Sequence, residues 1–195
     1  MMRYFLFLLF PAVAPFVTQA QEHQRYDFPI TLTLHFPALA TPFRNFDLNF
    51  RNIGIGIGTE VTLNHDGTWV QQLQVSWLRN RKAGHGLLAY TQMAWRPEIG
   101  DNGFTEIKAG AGYMYAFTPS PAWKATRGEW VAVGHRGKGM LALPVGIAFG
   151  THHYQGTTRY SPFVGYQFML LTHYNTTVPL VPMTIVQTGL SIAKQ

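Results

Sequence analysis

Cysteine is absent from this 195-residue chain, which excludes a disulfide scaffold and a lipid-modified cysteine at an export cleavage site. Serine is scarce, only Ser76, Ser120, Ser161 and Ser191, and none stands two residues from a histidine. The His-x-Ser spacing that would set a nucleophile and its base on one strand face is therefore missing. Charged residues make up only 12% of the chain. After the first twenty residues no apolar run approaches the roughly 20 positions that a membrane-spanning helix needs. The net charge of +6 could suit nucleic acid, but the chain has no basic helix and no aromatic stacking platform, and nucleic acid is set aside as a partner.

Residues 1–20 read as a signal peptide. A basic start at Met1 to Arg3 precedes the apolar run Tyr4 to Phe10, and Val17-Thr18-Gln19-Ala20 forms a small-residue cleavage site. Pro11 and Pro15 interrupt the run, which argues against a membrane anchor. The remainder, 21–195, has the length of one domain. Its dominant pattern is alternation: in Phe104 to Phe117, Ile107, Ala109, Ala111, Tyr113, Tyr115 and Phe117 share one parity, against Glu106, Lys108, Gly110 and Gly112. A strand so patterned has one greasy face and one face of charge and glycine. A soluble sandwich would bury the greasy face against a second sheet, whereas a transmembrane barrel turns it to lipid.

Eight strands can be laid out this way: Ile30 to Phe36, Phe46 to Leu63, Trp69 to Leu78, Gly86 to Trp95, Phe104 to Phe117, Met140 to Thr151, Phe163 to His173 and Met183 to Ala193. A parity change near Arg51 predicts a bulge in the second, and Asn64-His65-Asp66-Gly67 predicts a tight hairpin turn after it. The stretch from Thr118 to Lys138 reads as one long irregular connection. An even strand number puts both termini at one end, so the turns near Asn64, Gly100 and Gly156 share that end, and the long connection near 118–138 falls at the other, outer end. The fold class expected is all-β, a single antiparallel up-and-down transmembrane β-barrel. With aromatics such as Trp69, Trp77, Trp95, Tyr115, Tyr166 and Tyr174 near strand ends, the chain from Ile30 to Ala193 resembles the small outer-membrane β-barrel proteins of Gram-negative bacteria. The resemblance implies the outer membrane as location and leaves the activity open.

Eight strands enclose a lumen that side chains nearly fill. Glu60, Gln72, Gln74, Gln92, Glu106, Lys108 and Gln167 have inward parity and are expected to form a polar network, because a charge in such a lumen must be paired. Arg79, Arg81, Lys82, Lys124, Arg127, Arg136 and Lys138 lie in or beside the outer connections, a basic rim facing the anionic head groups of lipopolysaccharide. Arg96 and Arg159 read as residues of the terminal-side turns. His35, His85, His135 and His173 fall at the outer ends of strands or in outer loops, where imidazoles that converged could hold a metal or haem; no spacing supports it, and no cofactor is expected. The function expected is non-enzymatic, a monomeric surface or structural barrel contacting outer-membrane lipid and lipopolysaccharide. The alternatives are a barrel enzyme acting on lipid, a metal- or haem-binding surface protein, and a soluble lipocalin-like binder. Parity separates the last: Gly, Gln, Glu and Lys inside means membrane, Ile, Leu and Tyr inside means soluble.

Overall fold

A computed structural model describes residues 28–42, 46–80, 84–117, 122–126, 129–134, 137–172 and 180–194. The expected signal peptide lies outside these residues. Strands β1 (Ile30–Ala38), β2 (Ile53–Thr62), β3 (Trp69–Asn80) and β4 (Gly84–Trp95) pair in sequence order. A two-residue strand β5 (Glu98–Ile99) precedes β6 (Gly103–Phe117), and a small hairpin of β7 (Ala122–Thr126) and β8 (Glu129–Gly134) stands apart from the main sheet. Then come β9 (Lys138–Thr151), the short β10 (His153–Gln155), β11 (Thr158–Thr172) and β12 (Leu180–Lys194). The eight long strands follow the cycle β1-β2-β3-β4-β6-β9-β11-β12, and β12 pairs antiparallel with β1 from Ile30↔Ile192 to Ala38↔Thr184. The sheet closes on itself as an eight-stranded antiparallel barrel. Closure leaves no edge in the main wall, which is what allows strands to cross a bilayer. Among the described residues no helix is long and apolar enough to do so.

The first and last strands begin and end at one rim, called here the terminal rim, with three tight turns that each carry a glycine at positive φ: Gly67, Gly100 and Gly156. The left-handed backbone there suits glycine, and it lets the chain reverse within a few residues. All longer connections lie at the opposite loop rim. Two local expectations are corrected. Phe46–Arg51 is a 3-10 helix, not the first half of a bulged strand; its Asn49 side chain is buried and donates to the carbonyls of Phe36 (2.7 Å) and Thr184 (3.1 Å), clipping the loop end of the β1–β12 seam. The segment 118–138 is not wholly irregular, since it contains the β7–β8 hairpin.

Alternation decides which side chain meets lipid. Ile55, Ile57, Val75, Ile107, Leu141, Val145, Ile147 and Phe149 all point outward and are exposed, an apolar band of the kind that transmembrane barrels turn to lipid. Inward positions are packed to the point that glycine is required opposite bulky neighbours: a Cβ on Gly56 would stand 2.5 Å from the Ser76 hydroxyl and 2.8 Å from Nε2 of His35. The lumen is not uniformly polar. Its half nearest the loop rim is an apolar plug of Leu78, Leu88, Met140, Met169, Leu171, Met183 and Ile185, with Met114 packed against it.

Val145 is 47% exposed on the lipid face, and Val145→Arg should lower unfolding stability in lipid vesicles by roughly 2 to 4 kcal/mol. Gly110 points inward, and a Cβ there would collide with the Thr91 carbonyl oxygen and lie 2.6 Å from Cα of Gln92, so even Gly110→Ala should destabilise. Normal urea midpoints for both variants would show the parity to be misassigned.

Candidate functional site

The half of the lumen nearest the terminal rim is built around two buried carboxylates, Glu60 on β2 and Glu106 on β6. Arg96, the residue after β4, turns its side chain back into the barrel. Its two terminal nitrogens fork onto Glu60 at 3.0 and 2.5 Å, and its Nε donates to Glu106 at 2.6 Å. Lys108, also buried, reaches the other oxygen of Glu106 at 3.0 Å. Two cations and two anions thus neutralise one another, and the fork geometry of guanidinium on carboxylate makes the pairing bidentate. Burial alone would pull the Arg96 guanidinium down, but Glu60 and Glu106 beside it outweigh this and push it up, so it stays charged.

A chain of amides extends the network along the barrel. Gln72 donates to Glu60 (3.4 Å) and Glu106 (3.1 Å), Gln92 donates to Gln72 (2.8 Å), and Gln167 donates to Gln92 (2.7 Å). Ionised carboxylates only accept, so they fix the orientation of Gln72 and, in turn, of the two amides behind it. Tyr90 donates to Gln74 (3.0 Å) and Gln167 (3.5 Å), and Gln74 reaches Thr33 and His35. His35 closes the series: its Nε2 lies 2.8 Å from Thr33 Oγ1 and 3.0 Å from Ser76 Oγ. Glu60, Gln72, Gln74, Glu106, Lys108 and Gln167 are therefore brought together. Sequence reasoning missed Arg96 as their partner because it sits beyond the last residue of β4, before Pro97, where parity no longer assigns a face.

Between these groups a cavity of about 20 Å³ remains, lined by Glu60, Gln72, Arg96, Glu106, Lys108 and Ser161 among others. That is room for about one water. Beside it lies a pair that sequence spacing hid: His152 Nδ1 is 2.8 Å from Ser161 Oγ, and the imidazole stacks on Phe104 with centroids 4.6 Å apart. The tight turn at Gly156 folds β11 back so that residues nine apart meet. Both side chains are buried in the lumen, away from the lipid face where a barrel hydrolase would meet an acyl ester, and the cavity admits no such substrate. Burial, then the charges of Arg159 and Arg96, holds the His152 imidazole below its ordinary range, against the opposing pull of Glu98 and Glu60.

Of the four histidines expected at the outer mouth, the two that are described do not meet. His35 is buried inside the lumen, whereas His85 is on the outer surface, stacked on Trp77 at 5.6 Å; His135 and His173 lie outside the described residues. No group of three or more metal-ligating side chains occurs among the described residues. Of the basic rim, Arg79 stands exposed at the loop end of β3 and Lys138 begins β9 at the same rim. Lys124 is placed by its backbone alone, in β7. Arg81, Lys82, Arg127 and Arg136 lie outside the described residues.

Arg96→Met should strip both carboxylates of their principal partner, at a loss of roughly 3 to 5 kcal/mol. Lys108→Met should destabilise less, and adding Glu106→Gln should restore part of that loss; strict additivity in urea unfolding would mean that Lys108 and Glu106 are not coupled. His152 gives a pH signature. Its folded pKa is depressed, so its contribution is complete above the ordinary imidazole value near 6.5 and is lost as pH falls below it. His152→Gln, which can still bond Ser161, should flatten the decline in stability between about pH 7 and 5, and an unchanged slope would assign the acid sensitivity elsewhere.

No family model matches the chain, and no curated protein does. Solved structures do. Neisserial surface protein A aligns over 86% of this chain and 97% of its own, at 11% identity and TM-score 0.57. The attachment invasion locus protein Ail of Yersinia pestis aligns over 88% and 99%, at 14% identity and TM-score 0.44. The N-terminal β-barrel domain of OprF of Pseudomonas aeruginosa aligns over 86% and 99%, at 10% identity and TM-score 0.44. At these identities the likeness is one of fold, and it is carried by the first of the three. With a closed eight-stranded wall, an apolar outer band and a filled lumen, the chain has the fold of the small outer-membrane β-barrels.

Proposed function

We propose that this chain is a non-enzymatic barrel of the bacterial outer membrane, exported by its first twenty residues, with the terminal rim in the periplasm and the loop rim outside. Its working surface is the loop rim, where basic side chains contact lipopolysaccharide. The observation that carries this is the filled lumen. An ion-paired network occupies one half and an apolar plug the other, so neither a solute path nor a reaction chamber is available inside, and interaction is left to the exterior. The lumen network holds as many cations as anions, which leaves the net positive charge of the chain, +5 without Arg3 of the export signal, outside it. Arg and Lys at the outer leaflet are suited to phosphates, Arg by its fork and Lys as a point charge.

Changing Arg79, Arg81, Lys82, Lys124, Arg127, Arg136 and Lys138 to Gln should weaken binding to lipopolysaccharide vesicles and leave barrel assembly intact. Exposed charges are screened over about 8 to 10 Å at physiological ionic strength, so the wild-type protein should also lose affinity more steeply with added salt. Vesicle binding across a salt series, with a neutral lipid as reference and heat-modifiability gels as the assembly control, checks both. Equal affinities and equal slopes would reduce the rim to ordinary surface.

A further inference from the structure

The lipid face is not smooth. Across β12, β1, β2 and β3 the registers align one row of outward side chains, Leu190, Leu32, Ile57 and Val75, and a second row nearer the loop rim, Thr188, Leu34, Ile55 and Trp77. Between the rows every side chain points inward, so the surface sinks to backbone at Thr33, Gly56 and Gly189. The result is a groove of about 690 Å³, walled by these rows and by Leu87 of β4, within the roughly 300 to 1,000 Å³ of ligand clefts. Its walls are aliphatic apart from Trp77 and Thr188, and it opens sideways into the bilayer.

One step nearer the loop rim, a third row carries charge. Arg79 pairs with Ile53 on one side and His85 on the other, and His85 with Phe117. Trp77 stacks with His85 and lies 5.5 Å from Phe117, which in turn stands 5.0 Å from Tyr115. Such an aromatic cluster marks the level where the acyl region gives way to head groups. Residues two apart on a strand share a face at about 7 Å spacing, so the side chain of Arg79 leaves the wall about 7 Å above Trp77 and the groove. A cation directly above an apolar slot is complementary to an amphiphile with an anionic head.

We propose that this groove binds one acyl chain of lipid A, the lipid part of lipopolysaccharide, with a lipid A phosphate on Arg79. The assignment rests on the orientation proposed for the barrel, which places the loop rim in the outer leaflet. It narrows the partner surface from a diffuse basic rim to one slot, with Arg79 as the phosphate-binding residue and Trp77 as its wall.

The test uses the mature protein refolded into phosphatidylcholine vesicles carrying a trace of bisphosphorylated lipid A, with lipid retained per barrel counted by mass spectrometry after exchange. Arg79→Gln should weaken retention about tenfold, equivalent to about 1.4 kcal/mol, and should leave retention of dephosphorylated lipid A unchanged. Thr188→Trp, filling the slot from β12, should weaken both lipids alike. Thr188→Leu, a smaller intrusion, serves if the tryptophan variant does not assemble. Wild-type retention in both the Arg79 and Thr188 variants overturns the proposal, as does equal retention of phosphatidylglycerol, which would make the site one for any anionic lipid. Gln at the other six rim positions, with Arg79 kept, separates this idea from the rim itself: loss there with none at Arg79 or Thr188 sinks the groove and keeps the rim, and the converse keeps the groove and sinks the rim.

Discussion

The fork of Arg96 onto Glu60, shared with Glu106, is the contact on which the rest of the lumen depends. Two carboxylates brought into a space that holds about one water would repel each other and remain desolvated at a cost of several kcal/mol each. Arg96 answers both at once because it enters from the rim and its fork spans the gap between Glu60 on β2 and Glu106 on β6. Lys108 takes the remaining oxygen of Glu106. Only then does the series of glutamines have fixed acceptors at its end, and only with the amides oriented can Tyr90, Gln74, Thr33 and His35 settle their own donors and acceptors. The strand register is thereby written twice, once by backbone pairing and once by side chains that reach across the barrel.

That polar column stops half way. Beyond His35 and Ser76 the lumen changes to leucine, isoleucine and methionine, and the change has a physical rationale at each end. Near the terminal rim the turns are short, and charged side chains such as Arg96 can reach in from the rim. Near the loop rim no comparable tether is at hand among the described residues, and an apolar plug needs no partners to be satisfied. Four methionines, Met114, Met140, Met169 and Met183, serve there, with flexible side chains that fill irregular gaps between the strands. The plug also keeps water from the network below it, which strengthens every pair in it.

Much of this was legible in the chain itself. Period-two alternation located all eight long strands, because lipid on one side and crowding on the other leave little freedom in residue choice along Gly54 to Gly58 or Ile107 to Phe117. Where the alternation blurred, the reading failed for identifiable reasons. Phe46 to Arg51 carries apolar residues at helical as well as strand spacing, so a 3-10 turn passed for a bulged strand. Along Gly86 to Trp95 polarity does not separate the two faces, because Leu88 and Tyr90, buried in the lumen with the plug, are as apolar as the outward Leu87 and Met93. Glu106 and Lys108 could be placed inside by parity, but Arg96 and the His152–Ser161 pair are set by turns, where direction depends on three-dimensional closure and not on sequence period.

The same division between strands and turns bears on function. Inside, the charges of Glu60, Arg96, Glu106 and Lys108 neutralise one another, so nothing about that network selects a partner. Outside, the band of Ile, Leu and Val would be compatible with any acyl chain, and selectivity has to arise where the band ends. Arg79 lies within a long strand, with Trp77 two residues away on the same face and His85 opposite it across the ladder. Lys138 stands at the first residue of β9 and Lys124 in the small hairpin, and the remaining basic rim positions lie outside the described residues. A cation whose backbone is held in the ladder has less freedom left for binding to remove, and so converts more of its attraction for phosphate into affinity. If the rim has a specific contact as well as a diffuse field, the physics favours its being there.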